Sequence, residues 1–323
     1  MNNFWQKLPK PIIALSPMVG VTDLPFRTIC HRYGADVVYS EMTMVQGLAH
    51  KGKKVLELSQ VCDEERPVVL QLGGNDPELF YKAAQIAVQE IKPDGIDLNF
   101  GCPAKKVASH GNGVSLLRDL EKSYQIIQAT IEGAGGVPVS FKTRTRINSK
   151  DKDKVHYSWE LIDKVKDLPV AAIMIHGRSF EAPWAEEVDY EYIKAVRSHF
   201  KGILLANGGM YEPEKVKEIL EFTKADGVGI AHGVYGRPWI FNQIKAYLNN
   251  GKFKDLLWPE KRAIALEHAK LAFKVKGYHG LVELRKQLLW YVKGLPNATD
   301  YRTKLVTLNT LEEIEKALMD IEV

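Results

Sequence analysis

The 323-residue sequence predicts an α/β fold, a (β/α)8 TIM barrel followed by a smaller all-helical C-terminal domain. Three observations point there. Eight short apolar runs rich in β-forming residues recur roughly every 30 residues, each followed by helical periodicity. Signatures containing glycine and polar residues fall at the C-terminal ends of those runs. Beyond about residue 250 the strand pattern stops and helix follows helix.

The runs are Ile12–Ser16, Val37–Met42, Pro67–Leu72, Gly95–Phe100, Val137–Thr143, Val170–His176, Gly202–Asn207 and Asp226–Ala231. Continuous apolar strands alternating with amphipathic helices indicate a parallel sheet covered on its faces. Eight units suit a closed barrel better than an open doubly wound sheet, which usually has about five or six strands. Leu79–Ile91 exemplifies the helices. Leu79, Ala83, Ile86, Ala87, Glu90 and Ile91 form its expected buried stripe, with Asp76 as N-cap and Pro77 in the first turn. The barrel is expected over residues 1–250 and the helical domain over 251–323, the latter broken at Gly277, at Gly294-Leu295-Pro296 and near Asn309.

With 45% hydrophobic and 26% charged residues the chain has an ordinary globular composition, which argues against disorder. It has no long apolar run of membrane-spanning length and no basic-then-apolar N-terminus, so a cytoplasmic location is expected. Cys30, Cys62 and Cys102 are too few and too scattered for a disulfide framework or a zinc site, and no metal is expected. The net charge of +4 is unevenly placed. Residues 240–305 hold 13 basic and 5 acidic side chains, whereas residues 1–239 hold 30 of each. Tyr247, Trp258, Tyr278, Trp290, Tyr291 and Tyr301 interleave the basic segment. Two readings stay open for it: a nucleic-acid-contacting surface, or the solvated faces of lysine-rich helices.

The chemistry sits at the strand ends. In order they read Ser16-Pro17-Met18, Ser40-Glu41-Met42, Gln71-Leu72-Gly73-Gly74, Asn99-Phe100-Gly101-Cys102-Pro103, Lys142-Thr143-Arg144, His176-Gly177-Arg178, Asn207-Gly208-Gly209, and Gly229 through Ala231, His232 and Gly233. In barrels this end is the catalytic face, so eight loops converge on one pocket. The glycine loops after the seventh and eighth strands correspond to the usual barrel phosphate site, where backbone N–H groups and a short helix N-terminus cradle an anion. No G-x-G-x-x-G follows the first strand and no Walker A motif occurs, so a Rossmann or P-loop nucleotide site is unsupported. With Gln71 and Lys142 inside the mouth, the phosphate site suits flavin mononucleotide (FMN). Gln71 would bond the pyrimidine edge of the flavin, and Lys142 would place positive charge near its N1–C2 carbonyl.

Cys102 reads either as a buried structural thiol or as a proton donor; a tight glycine–proline turn at the catalytic face favours the donor. His176 and Arg178 read as satisfied polar core residues or as contacts for an anion or carbonyl, and Lys142 beside them favours contacts. Glu41 stays open between a solvated or capping acid and a substrate contact. Cys30, Cys62 and the histidines at 31, 50, 110, 156, 199, 268 and 279 are expected to be structural or on the surface.

These residues resemble a known family, the tRNA dihydrouridine synthases, through nearly the whole chain. The resemblance runs from Ser16-Pro17-Met18-Val19-Gly20-Val21-Thr22-Asp23-Leu24-Pro25-Phe26-Arg27 through Ser40-Glu41-Met42 and Gln71-Leu72-Gly73-Gly74-Asn75-Asp76-Pro77. Its most specific stretch is Gly95-Ile96-Asp97-Leu98-Asn99-Phe100-Gly101-Cys102-Pro103-Ala104-Lys105-Lys106-Val107. His176-Gly177-Arg178-Ser179, Asn207-Gly208-Gly209, Gly236-Arg237-Pro238-Trp239 and Leu289-Trp290-Tyr291-Val292-Lys293-Gly294-Leu295-Pro296 follow in order, closest in pattern to the bacterial B-type branch.

The resemblance implies FMN held by Pro17, Met18, Val19, Gln71, Lys142 and His176 and by the loops containing Asn207, Gly208, Gly209, Ala231 and His232. It implies Cys102 as proton donor, with NADPH (or NADH) as electron source. The substrate would be a D-loop uridine of tRNA, oriented by Asn99, Arg144 and Arg178, and the helical domain would grip the tRNA. A monomer is expected. Two departures stand out. Ala231-His232 replaces the family's usual Gly-Arg, and a histidine cannot form arginine's bidentate fork on a phosphate. Arg144-Thr145-Arg146 replaces the more common Arg-Leu/Thr-Gly. Competing functions are an FMN barrel acting on a free pyrimidine, in the manner of a dihydroorotate dehydrogenase, and a tRNA-binding module with weakened catalysis.

Overall fold

The structure, a computed structural model, describes residues 3–102, 111–147, 158–182 and 185–322. The motif residues from Pro103 to Val107, together with His110 and His156, lie outside the described residues. The strands are β1 (Ile12–Leu15), β2 (Val37–Tyr39), β3 (Thr43–Met44), β4 (Val68–Gly73), β5 (Gly95–Phe100), β6 (Val139–Arg144), β7 (Val170–His176), β8 (Ile203–Asn207) and β9 (Gly227–Ile230). They pair in parallel, and two pairings close the ring: β1 on β9, with Ile12 opposite Gly227, and β2 on β4, with Val38 opposite Val68. The result is an eight-stranded barrel, with β3 a two-residue addition beside β4.

The run expected over Val37–Met42 ends early, at Tyr39. The Ser40 hydroxyl accepts the Gln71 amide at 2.9 Å and donates to the Glu41 carbonyl at 2.8 Å. A side chain thus takes the place of the ladder, and the backbone turns away before β3.

Around the barrel run α1 (Leu24–Arg32), α2 (Val45–Ala49), α3 (Lys53–Leu58), α4 (Pro77–Ile86), α5 (Leu120–Ala134), α6 (Ser158–Lys164), α7 (Tyr190–His199), α8 (Pro213–Thr223) and α9 (Ile240–Asn250). The Asp76 side chain caps α4 by accepting from the Glu78 and Leu79 amides. A π-helical turn over Ala87–Ile91 continues α4. Of its expected stripe, Glu90 is an exception: it is exposed and pairs with Lys51 at 2.8 Å, because the wider turn rotates it off the buried face.

Inward and outward positions alternate along the strands, as a period of two requires. In β1, Ile13 and Leu15 join the apolar layer under the helices, while Ile12 and Ala14 join Trp5, Val37, Tyr39, Val69, Met174 and Leu205 inside the barrel. Climbing by twos, these inward apolar positions give way to polar ones: Val69 to Gln71, Met174 to His176, Leu205 to Asn207, Ala14 to Ser16. The barrel is therefore plugged with hydrocarbon at its N-terminal end and polar at its C-terminal mouth.

A separate apolar cluster forms the C-terminal helical region of α10 (Trp258–Tyr291), α11 (Ala298–Leu305) and α12 (Leu311–Met319). α10 bends sharply at Gly277, whose φ of 57° and ψ of −141° interrupt the helix at a conformation open to glycine. This region is moored to the barrel. Ile29 of α1 packs into its core, Lys276 pairs with Asp23 at 2.7 Å, and Trp290 stacks flat on Tyr235 at 4.0 Å. No helix among the described residues is long and apolar enough to cross a membrane.

Candidate active site

A cavity of about 280 Å³ opens at the C-terminal mouth of the barrel. All fifteen candidate site residues named from the sequence line it: Pro17, Met18 and Val19 after β1; Gln71 on β4; Asn99 and Cys102 at the end of β5; Lys142 and Arg144 on β6; His176 and Arg178 around the end of β7; Asn207, Gly208 and Gly209 after β8; and Ala231 and His232 after β9. They come together because each inward strand position is followed by a loop that leaves the barrel at the same rim.

The turn that carries Cys102 is held from both sides. The Asn99 Oδ1 accepts the backbone amides of Gly101 (3.2 Å) and Cys102 (2.8 Å). The Arg144 Nε donates to the Gly101 carbonyl at 2.9 Å, and its Nη1 to the Ser179 carbonyl at 3.0 Å. Arg144, expected as a substrate contact, thus ties the Cys102 turn to the loop after β7. Below, Asn99 Nδ2 donates to Gln71 Oε1 at 2.9 Å, Gln71 Nε2 to Asp97 Oδ2 at 2.9 Å, and Ser140 Oγ to Asp97 Oδ1 at 2.7 Å. On the other wall Asn207 Nδ2 donates to the Gly229 carbonyl at 2.7 Å and to Ser16 Oγ at 3.1 Å, so its orientation is set by β9 and β1.

The cavity is electropositive, and its ionisable side chains are largely buried. Burial, reinforced by Arg144, brings Lys142 down to about 8, and burial brings Arg144 down to about 10. Burial, then Arg144 and Lys142, push His176 far below its ordinary value, so its imidazole is neutral. The Nε2 of His176 is buried without a hydrogen-bond partner among the described residues. It lies over Gly208, where a Cβ would come within 2.9 Å of that nitrogen. The φ of 110° at Gly208 is a second reason for glycine there. His232 is half-buried, with its basicity lowered by burial and by Arg178. Such a site favours an electron-rich carbonyl or an anion near Lys142, with a thiol at the rim.

Several lining residues were not singled out in the sequence. Tyr211 and Tyr235 lie at the rim, Tyr235 tilted against His232 at 4.9 Å and stacked on Trp290. Asp97, not itself part of the lining, is fully buried beneath Gln71. Its position two residues before Asn99 was the available signal, since residues two apart share a strand face. Glu41, left open in the sequence, accepts the Gly20 amide and has its carboxyl pushed up by burial.

Comparison with known proteins follows the same lines. The family model described as dihydrouridine synthase (Dus) matches residues 13–322. The tRNA-dihydrouridine synthase B of Vibrio vulnificus (strain CMCP6) is 35% identical over 312 residues, covering 96% of this chain and 93% of that protein. The protein of the same name from Pseudomonas aeruginosa is 36% identical over 300 residues, covering 92% and 88%. Among solved structures, morphinone reductase in complex with tetrahydroNAD aligns with a TM-score of 0.53 at 13% identity over 80% of this chain and 92% of its own. A second, TcOYE with pHBA, aligns with a TM-score of 0.53 at 12% identity over 77% and 91%. At such low identity these two speak for the barrel fold alone. The match across almost the entire chain, with relatives at more than a third identity, places this chain in the dihydrouridine synthase family of oxidoreductases.

Proposed function

We propose that the protein is a cytoplasmic tRNA-dihydrouridine synthase that uses FMN and NADPH (or NADH) to reduce the C5–C6 bond of a D-loop uridine. The observation that carries this reading is the juxtaposition, in one cavity, of a thiol on an anchored turn with the Gln71, Lys142 and His176 wall. The wall fits a flavin. The unpartnered His176 Nε2 seeks a donor or acceptor from a ligand, Lys142 offers charge to an electron-rich carbonyl, and the glycines at 208 and 209 line the cavity in a loop whose backbone amides suit a phosphate. Pro17, Met18, Val19, Asn207, Ala231 and His232 complete the holding set. The chemistry FMN brings to such a site is hydride transfer, from a nicotinamide donor to C6 of the pyrimidine.

The chain's own groups do the rest. Cys102 gives its thiol proton to C5 of the uracil, where negative charge develops, and is reprotonated from solvent. Asn99, Lys142 and Arg178 orient the uracil edge and stabilise charge on its O4 carbonyl. The base must leave its stack to enter the barrel mouth, which a loop of folded RNA allows at low cost. Residues 1–250 serve as the catalytic domain of a monomer and residues 251–323 as the domain that grips the tRNA backbone by charge and shape.

The test is dihydrouridine formation. Purified protein with NADPH should convert uridine in folded, unmodified tRNA and leave free uracil and orotate untouched. Turnover of free pyrimidine with no product in tRNA would reject this reading.

A further inference from the structure

Gln71 stands between two polar side chains in the barrel interior, one below and one above. In register, Gln71 on β4 faces Asp97 on β5, and Asp97 faces Ser140 on β6. Asp97 accepts from both neighbours, from Gln71 Nε2 at 2.9 Å and from Ser140 Oγ at 2.7 Å. The upper side of Gln71 receives Asn99 Nδ2 on Oε1, and Asn99 Oδ1 in turn receives the Gly101 and Cys102 amides. Each link has one donor and one acceptor, so the direction of the whole chain is set at one end.

We propose that Asp97 is a positioning residue for the thiol: an acceptor-only carboxylate that fixes the amide of Gln71, through it the amide of Asn99, and so the turn that presents Cys102. An ionised carboxylate cannot donate, so Gln71 must direct its Nε2 downward and its Oε1 upward. Oε1 then demands a donor, which turns Asn99 Nδ2 downward and leaves Asn99 Oδ1 for the two backbone amides. With Gln71 reversed, Asn99 would turn its NH2 group toward those amides, donor against donor, and the turn would lose both anchors. Asp97 is fully buried, and burial raises its carboxyl to about 6, while Lys142 nearby favours the ionised form. This inference rests on Cys102 being the proton donor of the proposed reaction.

The relay predicts which exchange of partners will work. In Asn99→Asp the Gln71 amide meets a carboxylate on both sides and can donate to only one. Adding Asp97→Asn supplies a donor from below, so Gln71 can reverse. The carboxylate introduced at position 99 then accepts from Gln71 and still holds the Gly101 and Cys102 amides. The experiment uses the full-length protein at pH 8 and measures thermal unfolding together with alkylation of each cysteine by iodoacetamide, followed by peptide mass spectrometry. The half-exposed Cys62 serves as internal reference.

The expected result is a change of sign. Asp97→Asn is neutral or destabilising alone and stabilising on top of Asn99→Asp. Cys102 alkylation should rise roughly tenfold in Asn99→Asp, the equivalent of about 1.4 kcal/mol or one lost hydrogen bond, and fall back in the double variant. The cycle is repeated in a Gln71→Met background, because relief of repulsion between two carboxylates would also reverse the sign. Loss of the reversal without Gln71 supports the relay. Additive effects, or a reversal that persists without Gln71, overturn it. Dihydrouridine formation by the unaltered protein is scored separately. Its absence would sink the proposed reaction while the stability cycle still reports on the relay, and additive effects in an active enzyme would sink the relay alone.

Discussion

Lys142→Met should make the flavin-free protein more stable at neutral pH while weakening its hold on flavin. The lysine sits on β6 in the cavity wall, where the buried Asp97 carboxylate offsets only part of the cost of its charge. Burial, with Arg144 adding to it, lowers it from an ordinary 10.5 to about 8. At about 1.36 kcal/mol per pH unit, keeping the ammonium charged in the folded protein costs about 3 kcal/mol as a ceiling. Folded protein releases this proton near pH 8, whereas the unfolded chain keeps it until about 10.5. Between those values the unfolded state holds the extra proton, so the contribution of Lys142 to stability rises with pH. The cost is present in full below pH 8 and disappears above 10.5. Methionine nearly matches the stem and carries no charge. Urea denaturation at pH 7 and pH 10 is the assay. The variant should exceed the parent by up to about 3 kcal/mol at pH 7, and the gap should close toward pH 10. Lower stability of the variant at pH 7, or a gap independent of pH, would refute the assignment of Lys142 as a strained, ligand-directed cation.

Cys102→Ala should retain flavin and oxidise NADPH, yet form dihydrouridine in tRNA roughly 10²–10⁴-fold more slowly, the usual contribution of a placed acid; unchanged product formation would remove Cys102 from the chemistry. His232→Arg should retain flavin better through dialysis, because a permanently charged fork replaces an imidazole whose basicity burial lowers, by about 1.5–3 kcal/mol for one charge-assisted bond. Equal or poorer retention would mean that His232 does not face the phosphate or that another basic group already serves it. In the helical region, Lys274 and Lys286 are exposed, and Lys286 Nζ reaches within 2.8 Å of where a Cβ on Gly20 would sit, beside the cavity. Replacing both with alanine should weaken tRNA binding and flatten its salt dependence by about one unit per lost phosphate contact. Parental affinity and slope would assign the basic segment to plain solvation.

Lys276 and Arg285 were legible only as charges in a basic run, and the fold gives them other work. Lys276 joins Asp23 and Glu283 at 2.7 Å each, and Arg285 Nε donates to the Leu308 carbonyl at 2.9 Å. Replacing either disturbs domain packing, which would mask any effect on RNA. Asp23 lies 253 residues from Lys276 and Leu308 lies 23 from Arg285, and charge counting along a chain carries no such distance. Lys142 shows the same limit in energetic form: its identity was readable, but its lowered basicity depends on burial and on Arg144.

The sequence by itself determined the barrel, the order and approximate place of its eight strands, the residues that line its C-terminal mouth and the helical break at Gly277. All of these follow from local rules: apolar runs of strand length, a period of two that sorts inward from outward, and residues whose backbone preferences end an element. Only the tertiary structure decided which inward residues touch. It placed Asp97 under Gln71, turned Arg144 onto the Gly101 carbonyl and stacked Tyr235 on Trp290. Periodicity says which face of a strand a side chain takes, whereas register and barrel closure choose its neighbour, and hydrogen bonding and desolvation act between neighbours.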